Sequence, residues 1–402
     1  MTEPASRRRR QRKRKHNPHM KYEKQPVKGL IPNLKFVEKY SLHAKSHPAD
    51  WFRAFIPNSS NKGDYESVCT QRWCTYTNMK AEMDCSNEKE EILQPFTAKE
   101  IEQQLSLFIF QGLSPSPQLA MKAKFISEEM VQGNDHIAQV MGKNFDRRHR
   151  QFKSYFAVQH PHMPIPSKDT HPNWKVDPFL KHVNQVSMQA MVLPEYISAD
   201  EQTIGFHGAS EFKSRITFKK TGDGFQADSL CSNGYTFTFY FRHQKAPQIY
   251  IDKGLSPLHS RIMFMFDQLK NKHHSVFMDN LYMSASFARA ALLSKNKVKI
   301  HGVTRGDKKG IPDCVKQIEL KNEKMVLEVK NTVKVAVLEG DNACKDLVAI
   351  SYYDSKPVYF LSTVVKDIEW ETVTKKVFSK QLQKKLTCPF CVLILFICTT
   401  TT

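Results

Sequence analysis

Two aspartates stand in matching surroundings. Asp200 follows the short, largely apolar run 192–199 and Asp279 follows Ser275–Met278, and each is succeeded by a polar residue, Glu201 or Asn280. A carboxylate at the C-terminal end of a buried strand is held rigidly and faces the edge of its sheet. If the two strands are neighbours, Asp200 and Asp279 converge and could share a divalent ion. Hard oxygen donors of this kind suit Mg²⁺ or Mn²⁺. Two such ions about 3.5–4 Å apart would activate the attacking oxygen and stabilise the leaving oxygen of a phosphoryl transfer. The competing reading is helix capping, a common use of aspartates at such places.

For the carboxylates to meet, a sheet must bring those strands together, and the pattern around them supplies one. Residues 214–219 and 224–231 read as strands, and Tyr235–Phe241 alternates aromatic and polar side chains at period two. Ser232-Asn233-Gly234 is a hairpin signal, because Asn and Gly accept positive φ. Residues 258–270 are expected to be helical, Ser275–Met278 a buried strand, 284–295 an Ala-rich helix and 298–303 a strand. The order is a run of strands, then helix, strand, helix, strand.

Upstream the periodicity is helical. Residues 47–55 (HPADWFRAF) carry aromatics at helical spacing. Thr97-Ala-Lys-Glu100 is a capping box, in which hydroxyl and carboxylate each satisfy an amide of the first turn. Ile101, Leu105, Phe108 and Ile109 follow as one buried face, closed by Gly112 and the Ser-Pro repeat at 114–117. A basic helix is expected over 143–156, with Arg147, Arg148, Arg150 and Lys153 beside Phe145, Phe152, Tyr155 and Phe156. It could lie on a DNA backbone or present a solvated face. Asp177-Pro178 reads as an N-cap followed by proline at the first helical position, with the helix running to about Gln189.

Lys and Arg outnumber Asp and Glu by 20 over 402 residues, which favours a polyanionic partner, nucleic acid first; a merely solvated basic surface is the alternative. Eight of those charges sit in one block, Arg7, Arg8, Arg9, Arg10, Arg12, Lys13, Arg14 and Lys15, with only Gln11 uncharged between them. Such a block repels itself and buries nothing. It reads as a nuclear import signal or a phosphate-binding arm, hence a nuclear protein. Apolar residues at 40 %, with 26 Phe, are enough for real cores over the rest. The nine Cys show no even framework and no secretory signal precedes them, so reduced thiols are expected. Cys388 and Cys391 form a single CxxC with no second pair, so no zinc site is expected. No apolar run approaches the ~20 residues of a membrane span.

Two blocks carry a family resemblance. VLPEYISADEQTIGFHGASEFKSRITFKKTGDGFQ (192–226) resembles the first catalytic block of piggyBac-type DNA transposases, an Asp-Glu-Gln after a strand, then Gly-Phe-x-Gly and a basic segment. SVFMDNLYMSASFARAALLSKNKVKIHGVTRGDKKGIP (275–312) is similar to the second, an Asp-Asn pair followed by an aromatic and a Ser, a helix, and Gly-Val-Thr-Arg leading to Gly-Ile-Pro. AISYYDSKPVYFLST (349–363) resembles the strand pair that re-enters the family's core. The likeness covers about 45–365.

The resemblance implies an α/β fold, an RNase H-like mixed-sheet catalytic core with a flanking helical domain and a small insertion domain. The expected division is a basic tail (1–45), a helical DNA-binding and dimerisation region (46–190), the core (191–304), an insertion (305–346), returning strands (347–370) and an atypical tail (371–402). It implies metal-dependent DNA strand cleavage and transfer at TTAA targets, Mg²⁺ or Mn²⁺ as cofactor, and double-stranded DNA as partner. A homodimer could form; no membrane or small-molecule substrate is expected. Of three catalytic aspartates, Asp200 and Asp279 match the first two. Arg215, Lys219 and Lys220 would be placed to touch phosphate, or would guard an exposed strand edge.

The pattern breaks at the third acid. Where the family has a Gly-Gly-Val-Asp segment, the residues after Trp370 contain none, and no Asp follows Asp367. Asp354, Asp367 and Glu369 are weak substitutes; Asp354 lies in Tyr-Tyr-Asp-Ser-Lys-Pro, a hairpin-turn sequence. The expectation is therefore a DNA-binding transposase relative that is catalytically incomplete. The alternatives are an active cut-and-paste enzyme and a domesticated chromatin or scaffolding protein.

Overall fold

The computed structural model describes residues 47–56, 69–85, 94–113, 145–206, 208–216, 222–269, 274–316, 318–321, 324–327, 333–338, 347–353, 356–363, 365–379 and 384–397. The basic block at Arg7–Lys15, Lys219, Lys220 and Asp354 lie outside them.

The N-terminal part is helical: α1 (Pro48–Phe55), α2 (Thr70–Cys85), α3 (Ala98–Leu113), α4 (Phe145–Tyr155) and α5 (Asp177–Ala190). His47 and Asp50 cap α1 reciprocally, and the expected Thr97/Glu100 box closes α3, with the Glu100 amide donating to the Thr97 hydroxyl at 3.2 Å. The helix α2 has no counterpart in the sequence reading. Its buried side chains are Thr70, Trp73, Cys74, Thr77 and Ala81, too polar and too small to write an apolar stripe. Trp73 nonetheless anchors the helical core, edge-on to Phe156 (6.0 Å) and Phe179 (5.5 Å). The buried face of α3 differs from the expected one. Ile101, Gln104 and Leu107 are buried while Phe108 and Ile109 are exposed, because Gln104 turns inward to meet the buried His149 of α4 at 2.7 Å. In α5 the cap is Val176, and Asp177 is already helical.

The C-terminal part is built on a sheet of nine strands among the described residues. In chain order these are β1 (Tyr196–Gly205), β2 (Ser214–Arg215), β3 (Asp223–Ser232), β4 (Tyr235–Phe241), β5 (Ser275–Met278) and β6 (Lys299–Thr304). After a separate two-stranded piece, β7 (Ile318–Lys321) and β8 (Lys324–Leu327), come β9 (Val333–Val337), β10 (Val348–Tyr353) and β11 (Pro357–Ser362). The order is β2-β3-β1-β5-β6-β11-β10-β9, with β4 on β3. Among the described residues only β1–β5 and β5–β6 are parallel. Each parallel step needs a crossover, supplied by the short α6 (Gln248–Ile251) with α7 (Pro257–Asp267) before β5, and by α8 (Ala285–Leu292) before β6. The β3–β4 turn has φ of 50° at Asn233 and 80° at Gly234, the conformation that the Asn-Gly pair accepts. β9 lies within the span expected as an insertion and forms the sheet edge on β10. Residues 365–379 and 384–397 pair as a separate hairpin, β12–β13, described by backbone alone.

Ile197 and Ala199 of β1, Val276 and Met278 of β5 and Ile300 of β6 belong to one buried cluster with Ile262, Met265 and Phe266 of α7 and Phe287, Ala288 and Ala291 of α8. The two helices thus cover one face of the sheet. On the other, half-buried face a row of rings crosses the strands: Tyr196 to Phe277 at 6.1 Å, Phe277 to His301 at 5.4 Å, and His301 to Phe360 at 6.1 Å. Burial pushes the His301 imidazole down to about 4, so it is neutral there.

Candidate functional site

Asp200 and Asp279 occupy one rim. The parallel ladder pairs Ile197 with Val276 and Ala199 with Met278, and the next residue along each strand is the aspartate. Neighbouring strands are about 4.8 Å apart, so the two Cα positions stand side by side. Strand alternation puts both on the face opposite buried Ala199 and Met278. Both aspartates are exposed. The strand β1 does not stop at Asp200, as the sequence reading had it. It continues to Gly205 because β3 pairs with it from Ser198 to Gly205, so Asp200 marks where the parallel ladder ends and only the antiparallel one goes on. Each carboxylate accepts a nearby backbone N–H, Asp200 from Glu201 at 2.7 Å and Asp279 from Leu281 at 2.8 Å. Neither caps a helix; α8 is capped by Ser284. The two are hard oxygen donors of the kind that suits Mg²⁺ or Mn²⁺. Among the described residues no group of three or more His, Cys, Asp or Glu could hold a metal.

The turn after Asp279 is clamped. Lys308 donates to the carbonyls of Asn280 and Met283 (2.9 Å to the latter), and His259 Nε2 lies 2.9 Å from the Tyr282 carbonyl. Burial and the neighbouring Arg305 push the Lys308 ammonium below the usual lysine range, while Asp279 and Asp307 pull it back. A basic loop thus stands beside the acidic rim. Beneath it lies a buried charge network that the sequence reading did not find. Asp228 of β3, fully buried, accepts from Arg242 and Arg261 at 2.8 Å each and from the Tyr282 hydroxyl at 3.0 Å. Its only linear trace is parity, an aspartate between Gln226 and Leu230 on the inward side of its strand.

The cationic candidates divide. Arg215 is exposed on the short β2 and lies 3.6 Å from Asp223. Arg147 is exposed on α4. Arg148 is half-buried and engaged with its own domain. It pairs with the Glu100 carboxylate, donates to the Gln94 and Pro95 carbonyls at 2.7 and 3.0 Å, and stacks 3.8 Å over the Phe96 ring. Among the described residues no helix is long and apolar enough to cross a membrane.

An antiparallel hairpin beside parallel strands joined by helices, with an acidic pair on adjacent strand tips, defines an RNase H-like core. Residues 65–392 match the family model described as Transposase IS4, and the chain belongs to that family. Its fold is that of a piggyBac transposase, solved as a synaptic complex with hairpin DNA. The two superpose with a TM-score of 0.57 at 17 % identity, over 88 % of this chain and 66 % of that one. The chain therefore spans just under two thirds of that relative's length. No curated protein matches it.

Proposed function

We propose that this chain binds double-stranded DNA across the rim carrying Asp200 and Asp279, with a divalent cation held between the carboxylates, and that it is catalytically incomplete. The observation that carries the reading is the β1–β5 register, which gives two acids a common position. The basic loop beside them, with Arg305 and Lys308, offers charge to a phosphate backbone, and the similar piggyBac structure contains DNA. A bound Mg²⁺ or Mn²⁺ would neutralise phosphate oxygens and polarise the scissile phosphorus. The protein's own part is placement: the two carboxylates would hold the ion, and Lys308 fixes the turn that carries one of them. Two carboxylates alone would fix a cation less firmly than three, and misplacement of a reacting group by about 1 Å costs on the order of 10²-fold in rate. The segment expected to bring the third, Gly-Gly-Val-Asp, is not in the residues after Trp370.

A supercoiled-plasmid assay with Mg²⁺ or Mn²⁺, run beside a DNA-binding titration over salt, tests this. Binding that weakens steeply with salt, without nicking, is the expected result. Nicking that Asp200→Asn abolishes would show an active enzyme with a third ligand from elsewhere. Salt-independent or absent DNA binding would favour a protein-contact role instead.

A further inference from the structure

The acidic pair is only as well placed as the turn behind Asp279, and that turn lies outside the strand ladder. Tyr282, three residues on, is fully buried, and its hydroxyl both donates to Asp228 and accepts from Arg242 at 3.0 Å. Arg242 lies with another nitrogen 3.5 Å from the carboxylate of Glu201, the residue after Asp200. Asp228 stands opposite Glu201 in the β1–β3 register, and Arg261 of α7 holds its second oxygen. A closed path therefore runs from Asp200 through Glu201, Arg242 and Tyr282 to Asp279, and returns across the β1–β5 ladder. Buried ion clusters add little to stability relative to well-packed apolar groups, because desolvation offsets their attraction. Directional bonds to a planar guanidinium do fix geometry.

We propose that Asp228, Arg242, Arg261 and Tyr282 form a positioning assembly that holds the two strand tips at the separation a shared cation requires. The inference rests on the reading of Asp200 and Asp279 as that cation's ligands. None of the four touches the ion; they act through the Glu201 side chain and the turn 279–283.

Mn²⁺ titration of the full chain, followed by electron paramagnetic resonance and paired with thermal melting, tests it. Tyr282→Phe keeps the ring and removes one hydroxyl. It is expected to melt close to the wild type yet bind Mn²⁺ about 10- to 100-fold more weakly, the usual effect of losing a group that orients a ligand. Arg242→Lys keeps the buried charge without the fork, and should also weaken binding should Tyr282→Phe not fold. Leu281, whose amide bonds the Asp279 carboxylate, should exchange its proton faster in both. Wild-type Mn²⁺ affinity in both variants, with binding abolished by Asp200→Asn, would overturn the positioning role and leave the acidic pair standing. If the wild type binds no Mn²⁺, the acidic-pair reading falls and this inference with it.

Discussion

Gly302 of β6 lies so close against Met278 of β5 that a β-carbon on it would stand 2.1 Å from the Met278 carbonyl oxygen and 2.7 Å from Met283 Cγ. Met278 pairs with Gly302 in the parallel ladder and immediately precedes Asp279. The absent side chain thus lets the third parallel strand approach the tip that carries an acid. Gly302→Ala should force β5 and β6 apart, at a cost of about 1–3 kcal/mol, typical of overfilling a packed site. Urea denaturation would read the loss, and Mn²⁺ affinity should fall with it. An alanine variant as stable as the parent would show that β6 can give way without consequence.

Arg148 is expected to stabilise the helical part rather than read DNA. Its bonds to Glu100, Gln94 and Pro95 and its stacking on Phe96 tie α4 to the start of α3. Arg148→Ala should cost about 2–3 kcal/mol, from charge-assisted hydrogen bonds left unmade, and Arg148→Lys should recover part of it. The salt dependence of DNA binding should be unchanged. A variant of parental stability whose salt slope drops by about one phosphate contact would make Arg148 a backbone reader instead.

Stability should fall in acid partly through His301. Its folded pKa, about 4, lies below the ordinary histidine value because burial disfavours the charged ring. The neutral ring's contribution is therefore complete above about pH 6.5 and is lost as pH falls from there toward 4, where both folded and unfolded states carry the proton. Each pH unit in that window is worth about 1.4 kcal/mol. Carboxylates titrate nearby, so the measurement is a difference. Chemical denaturation from pH 7 to 4 should show a shallower decline in His301→Phe than in the parent, and parallel curves would assign the slope elsewhere.

Deleting Arg7–Lys15 should abolish nuclear accumulation of a fluorescently tagged chain, since the block concentrates eight charges. Retained nuclear signal would place the import determinant elsewhere.

What the chain's linear order determines here is what is local. The Tyr235–Phe241 strand, the Asn233-Gly234 turn and the Thr97/Glu100 box are settled by neighbours a few residues away, and each appears where the residues put it. Asp200 and Asp279 were legible for the same reason, as polar breaks closing short apolar runs. Whether they meet depends on β1 pairing with β5 rather than with another strand, a choice made by the packing of α7 and α8 over the whole sheet. The tertiary structure alone decided that α2 is a helix, that Gln104 points inward, and that Asp228 is held by groups from the residue after β4, from α7 and from the turn after β5. Burying a polar group is costly until distant partners satisfy it, and partners distant in sequence leave no periodic trace.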